Sequence, residues 1–209
     1  MAQLIQASEL TLSQVEDQFN LRQVLDEPTF FRECQNDLPE LSESEIQTLD
    51  RVKTEFIYLN KYPMLEDLVK MVILSPLLSL AGFYRPPLRP VLEKRVDVQV
   101  EDRERTVWGQ IDILLLQKLV WVAVIESKQA GFSLKDATAK TLFYMMANPE
   151  AEQATFGLVT NGSHFIFIKL LRSELPQYAF STEFSLYRTE NELYPVFRIL
   201  KGFAELATR

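Results

Sequence analysis

The run Leu119-Val120-Trp121-Val122-Ala123-Val124-Ile125 carries no polar side chain at any of its positions and then stops at Glu126. Rich in β-branched residues, it is too short for a buried helix and suits a strand covered on both faces. A chain that contains it must build a sheet with other elements packed on either side.

The flanking sequence supplies those elements. Ser42-Glu43-Ser44-Glu45 has the capping-box spacing, and Ile46, Leu49, Val52 and Phe56 follow at helical spacing until Asn60-Lys61-Tyr62-Pro63 breaks the helix. A second helix from about Met64 carries Leu65, Leu68, Val69, Val72 and Ile73, kinks at Pro76 and stops at Gly82. After the proline-rich RPPLRP run the period changes to two, with Val96, Val98 and Val100 alternating with Asp97 and Gln99. Residues 107–116 and 119–128 read as two more strands around a short turn at Gln117-Lys118. Gly131 and Ser133 open a helix over 134–147 that Asn148-Pro149 ends. Strands at 155–160 and 164–170 meet at Asn161-Gly162, a hairpin signal. A strand over 178–186 and a helix over 192–207 follow. That helix aligns Leu193, Val196, Phe197, Leu200, Phe203 and Ala204 on one face.

This order predicts an α/β (α+β) fold in which a mixed, mostly antiparallel central sheet is flanked by helices. One domain is expected over 42–209. Before it, residues 1–41 read as a polar, acidic arm with a short helix around Leu12–Phe19.

Composition excludes much chemistry. A single cysteine, Cys34, and a single histidine, His164, leave no disulfide framework, no Cys-rich zinc site and no mechanism that needs two histidines. His164, directly after the hairpin turn, reads as structural. The six glycines never form G-x-G-x-x-G, and Gly157 to Gly162 followed by Ser163-His164 lacks the lysine of a phosphate loop, so no ATP site is expected. The opening MAQLIQASEL lacks signal-peptide regions, and the most apolar stretch, 71–84, is short and broken by Ser75-Pro76. A cytoplasmic protein with no membrane partner is the expectation.

The net charge of −7 argues against a nucleic-acid partner, but it is unevenly placed. Residues 1–60 hold 12 acids and 4 bases, whereas residues 61–209 hold 17 acids and 18 bases. Within that neutral part Arg85, Arg89, Lys94 and Arg95 form one basic group, and Lys128, Lys135 and Lys140 a second.

Two acids interrupt the apolar strands: Asp112, between Ile111 and Ile113, and Glu126, two residues before Lys128. A carboxylate at such a position is costly unless something compensates it, and a divalent cation is one such partner. Glu126 and Lys128 share a strand face. With Leu116 opposite Val120, Asp112 lies opposite Val124 and joins that face; a one-residue slip would turn it to the other side. On one face, the three groups suit metal-assisted phosphodiester hydrolysis, with two carboxylates holding Mg²⁺ (or Mn²⁺) and Lys128 near the reacting phosphate.

Asp112 followed by Glu126-Ser127-Lys128 resembles the D…(D/E)-x-K signature of the PD-(D/E)XK nuclease superfamily. YPMLEDLVKMVILSPLLSLAGFY, GQIDILLL, VWVAVIESKQ and LVTNGSHFIF are similar to the N-terminal nuclease domain of type I restriction enzyme R subunits and their small stand-alone, cyanobacterial-type relatives, over roughly residues 45–170. The resemblance implies a restriction-endonuclease-like core and a Mg²⁺-dependent endonuclease acting on DNA without a helicase part. It assigns Asp112, Glu126 and Lys128 as catalytic, with Asp112, Glu126 and the helix residue Glu66 as metal ligands. The Q-x-x-x-Y found on the helix after the lysine corresponds here to Lys140 and Tyr144, which become the substrate-binding residues; Lys140 departs from the glutamine. The alternative is a catalytically inactive nucleic-acid-binding or protein-interaction module on the same scaffold. A homodimer is compatible with either.

Overall fold

The computed structural model describes residues 3–25, 29–100, 105–117, 120–129, 133–148 and 154–208. Among the described residues, nine strands form one mixed sheet: β1 (Gln3–Gln6), β2 (Arg22–Gln23), β3 (Leu88–Val100), β4 (Arg105–Gln117), β5 (Val120–Ser127), β6 (Thr155–Thr160), β7 (His164–Leu171), β8 (Gln177–Phe180) and β9 (Phe184–Ser185). The order is β1-β4-β5-β6-β7-β8-β2, with β3 on the far edge of β4 and β9 on β7. Among the described residues, β1–β4, β2–β8 and β5–β6 are parallel and the other pairs antiparallel.

As its composition demands, β5 lies between β4 and β6 with both faces covered. Ile125 joins a core built with α2 (Glu43–Leu59), α3 (Glu66–Val69), α4 (Ser75–Leu80) and α6 (Leu193–Thr208). Val124 and Trp121 join the opposite core with α1 (Leu12–Phe19) and α5 (Lys135–Met146). The sheet is thus sandwiched between two layers of helices, each closing one apolar face.

The helix signals operate as read. The Ser42 hydroxyl accepts from Glu45 N at 3.3 Å while the Glu45 carboxylate accepts from Ser42 N at 2.7 Å, closing the capping box of α2. Leu49, Val52 and Phe56 are its buried face. The second helix is α3, a π-helical stretch over Lys70–Leu74, and then α4 with Pro76 in its first turn. Proline has no N–H to donate, and the widened turn directly before it accommodates that missing bond. All six apolar residues aligned in the sequence of α6 are buried.

Three boundaries differ from expectation. The proline-rich run is not a connector: β3 begins at Leu88 and includes Pro90, opposite Leu115. As an edge strand, β3 can turn the position without an N–H to the outside. The single strand expected over 178–186 is two short ones, β8 and β9, which pair with different parts of β7. Residues 1–41, set apart in the sequence as an arm, share the same sheet and cores. There β1 adds to β4, β2 to β8, and Val15, Phe30 and Phe31 are buried. Lys118, Gly131 and Pro149, read as turn, helix-opening and helix-ending residues, lie outside the described residues.

Candidate active site

The β4–β5 register determines whether the site residues meet. Gln117 pairs with Val120 and Leu116 with Trp121, rather than Leu116 with Val120 as expected. Continued unchanged, that register would set Asp112 against Ile125 and turn it away from Glu126. A bulge between Leu115 and Leu116 shifts the pairing by one, so that Leu115 faces Ala123 and Ile113 faces Ile125. One step further along, Asp112 falls opposite Glu126, and directly opposed residues share a face. The same-face placement is reached, but through a bulge.

Asp112 also marks a gap on its other side. The β3–β4 ladder runs from Leu88↔Gln117 to Val100↔Arg105 and omits only the pair of Glu93 with Asp112, where Glu93 has φ of +53°. Toward β5, on the opposite edge, the Asp112 carboxylate accepts from Ser127 N at 2.8 Å.

Glu126 is fully buried, and the Nζ atoms of Lys128 and Lys140 each lie 2.6 Å from its Oε1. Its second oxygen, Oε2, is buried without a hydrogen-bond partner among the described residues, as is the Ser127 hydroxyl. Lys128 comes from the end of β5, where its N–H donates to Thr160 O at 2.8 Å and continues the β5–β6 ladder. Lys140 comes from α5. Glu66, in the first turn of α3, is held by Lys70 at 2.6 Å. The three acids Glu66, Asp112 and Glu126 are thus matched in number by Lys70, Lys128 and Lys140.

Electrostatics tie these groups together. Burial raises the Asp112 carboxyl above its ordinary value; the Ser127 N–H and Lys140 oppose this, and the nearby Glu66 charge adds to it. Burial likewise raises Glu126, the Asp112 charge acts in the same direction, and the two lysines offset the rise only in part. Burial opposes the Lys70 charge, but Glu66 and Asp112 outweigh it and hold its pKa above the usual value.

The structure therefore brings Asp112, Glu126, Lys128 and Lys140 together, with Glu66 at the margin. Among the described residues no group of three His, Cys, Asp or Glu side chains is arranged to hold a metal ion. Tyr144, read as a substrate contact, is fully buried, and its hydroxyl accepts from Gln110 N at 2.9 Å. It braces β4 two residues from Asp112 instead of facing outward. Gly109 permits this: a Cβ there would lie 2.4 Å from the Tyr144 hydroxyl. Sequence reasoning missed Lys70 and the Gly109–Tyr144 contact. The Glu66–Lys70 spacing of four was legible as a helix pair; a glycine accommodating a tyrosine from another element has no local signal.

No family model matches the chain, and a search of curated proteins finds no relative.

Proposed function

We propose that the chain has a restriction-endonuclease-like core and hydrolyses phosphodiester bonds of DNA with the help of Mg²⁺. The observation that carries this reading is the fully buried Glu126. One of its oxygens takes two lysines at 2.6 Å while the other has no partner among the described residues, and Asp112 stands across the strand pair. A buried carboxylate with an orphan oxygen is costly in a purely structural role.

The donor set fits a hard cation. Mg²⁺ takes oxygen ligands and is commonly held by one or two carboxylates with water completing its shell, so Asp112 and Glu126 suffice without a third acid. Bound there, the ion would polarise a phosphoryl oxygen and acidify a water. The remaining work falls to the chain. Lys128 and Lys140 supply positive charge where a phosphate gains negative charge, and Ser127 N–H fixes the Asp112 carboxylate. Tyr144 holds β4 in place behind it.

The inactive-module alternative has one observation in its favour: no trio of acids converges among the described residues. Plasmid and single-stranded DNA cleavage, with and without Mg²⁺, separates the two readings. The wild type should cut only with the ion, and Asp112→Ala and Lys128→Ala should lower the rate by at least about a hundredfold. Equal cutting by all three proteins, or none by the wild type, would remove the hydrolase reading.

A further inference from the structure

A cleft of about 760 Å³ opens between the start of α5, the β6–β7 turn and the segment from Phe180 to Tyr187. None of the residues of the carboxylate–lysine cluster lines it, but the backbone links the two: Lys128 N donates to Thr160 O, and Thr160 leads directly into the turn that carries His164. On the other wall, Lys135 lies five residues before Lys140 on the same helix, a rise of ~7.5 Å. The volume is of small-molecule size, far more than one phosphate needs.

Its chemistry is that of a flat ring with polar edges. Leu134, Ile166 and Phe180 give apolar walls. The rings of His164 and Tyr187 sit together, centroids 5.8 Å apart. Tyr187 is 59% exposed, and Asn60 Nδ2 donates to its hydroxyl at 2.6 Å, which orients the ring. His164 is held from behind, its Nδ1 hydrogen-bonded with the Ser163 hydroxyl at 2.9 Å and its N–H donating to Asn161 Oδ1. Lys135 and Glu183 balance each other among the lining residues. Such a cleft attracts no polyanion by charge, but it offers ring faces for stacking and polar groups for edges.

We propose that this cleft binds an unpaired nucleobase of a single-stranded nucleic-acid segment whose neighbouring phosphate lies at Lys128 and Lys140. The placement of the phosphate rests on the proposed function; the base contact stands on the cleft alone. A base inside a duplex offers only its edge, so the cleft selects unpaired strands or ends.

The test uses the full chain in EDTA, where cleavage cannot confuse binding, with fluorescein-labelled single-stranded and duplex oligonucleotides of the same sequence read by anisotropy. Tyr187→Ala and His164→Ala should each weaken single-strand binding at least fivefold, the low end of what one stacked base contributes, with little change for the duplex. Tyr187→Phe keeps the ring, loses only the Asn60 bond, and should bind within twofold of the wild type. An unlabelled nucleoside monophosphate at millimolar concentration should compete, whereas inorganic phosphate should not. Unchanged affinity in both alanine variants, or equal losses for duplex and single strand, overturns the proposal. Tyr187-dependent binding by a protein that cuts nothing would retain the cleft and discard the hydrolase; Asp112-dependent cutting with Tyr187-independent binding would do the reverse.

Discussion

Lys128 and Lys140, twelve positions apart and on different elements, end on the same oxygen of Glu126 at 2.6 Å each. Two cations on one fully buried carboxylate make that carboxylate more expensive to delete than either lysine. Glu126→Ala should cost about 3–5 kcal/mol, because two partly buried ammonium groups lose their counter-ion. Lys140→Ala should cost less, about 1–2 kcal/mol, since Lys128 remains. Urea unfolding followed by circular dichroism measures both, and the reverse ranking would contradict this arrangement.

The raised Asp112 and Glu126 carboxyls make a signed prediction for pH. A carboxyl whose folded pKa exceeds its unfolded value, ~4, holds more protons when folded, so its contribution to stability falls as pH rises from there through the folded value. Asp112→Asn removes one such group. Relative to wild type, the variant should gain stability as pH rises above about 4 and level off once the raised Asp112 value is passed, a trend that a series of urea midpoints would reveal. A difference independent of pH would mean that Asp112 titrates normally.

Gly109 and Tyr144 should behave as one unit. Gly109→Ala drives a Cβ to 2.4 Å from the Tyr144 hydroxyl, and the buried ring has no room to withdraw, so a loss of about 1–3 kcal/mol is expected. Tyr144→Phe leaves Gln110 N without its partner and should cost about 1–2 kcal/mol. Because the phenylalanine also removes the closest clashing atom, the double variant should lose less than the sum of the two. Additive thermal-denaturation losses would argue against the contact.

The acidic N-terminal segment is fastened to the sheet by Glu33, whose carboxylate accepts from Lys169 Nζ at 2.7 and 2.8 Å. Lys169 is buried, and its Nζ sits 5.6 Å from the centre of the Phe30 ring. Glu33→Ala should destabilise the protein by about 3 kcal/mol by leaving that ammonium unpaired, whereas Glu33→Leu with Lys169→Met should recover most of the loss. Cys34 next to it has a thiol that burial pushes well above its usual pKa, so it should label slowly with thiol reagents until Glu33→Ala loosens the segment.

Hydrophobic period alone was enough to place the helices and most strands. The capping box of α2, the buried face of α6 and the doubly covered β5 are local facts, dictated by the spacing of apolar side chains along a few turns or pleats. So was the pairing of an acid with a lysine two residues on, since Glu126 and Lys128 share a face by strand geometry. What the sequence did not contain was register. The bulge at Leu115/Leu116 that turns Asp112 toward Glu126, the arrival of Lys140 from α5 and the retreat of Tyr144 behind Gly109 each depend on how two separate elements pack. So do the addition of β1 and β2 to the sheet and the splitting of β8 from β9. Those outcomes are set by non-local contacts, in which a shift of one residue reverses a face, and no stretch of chain read by itself encodes them.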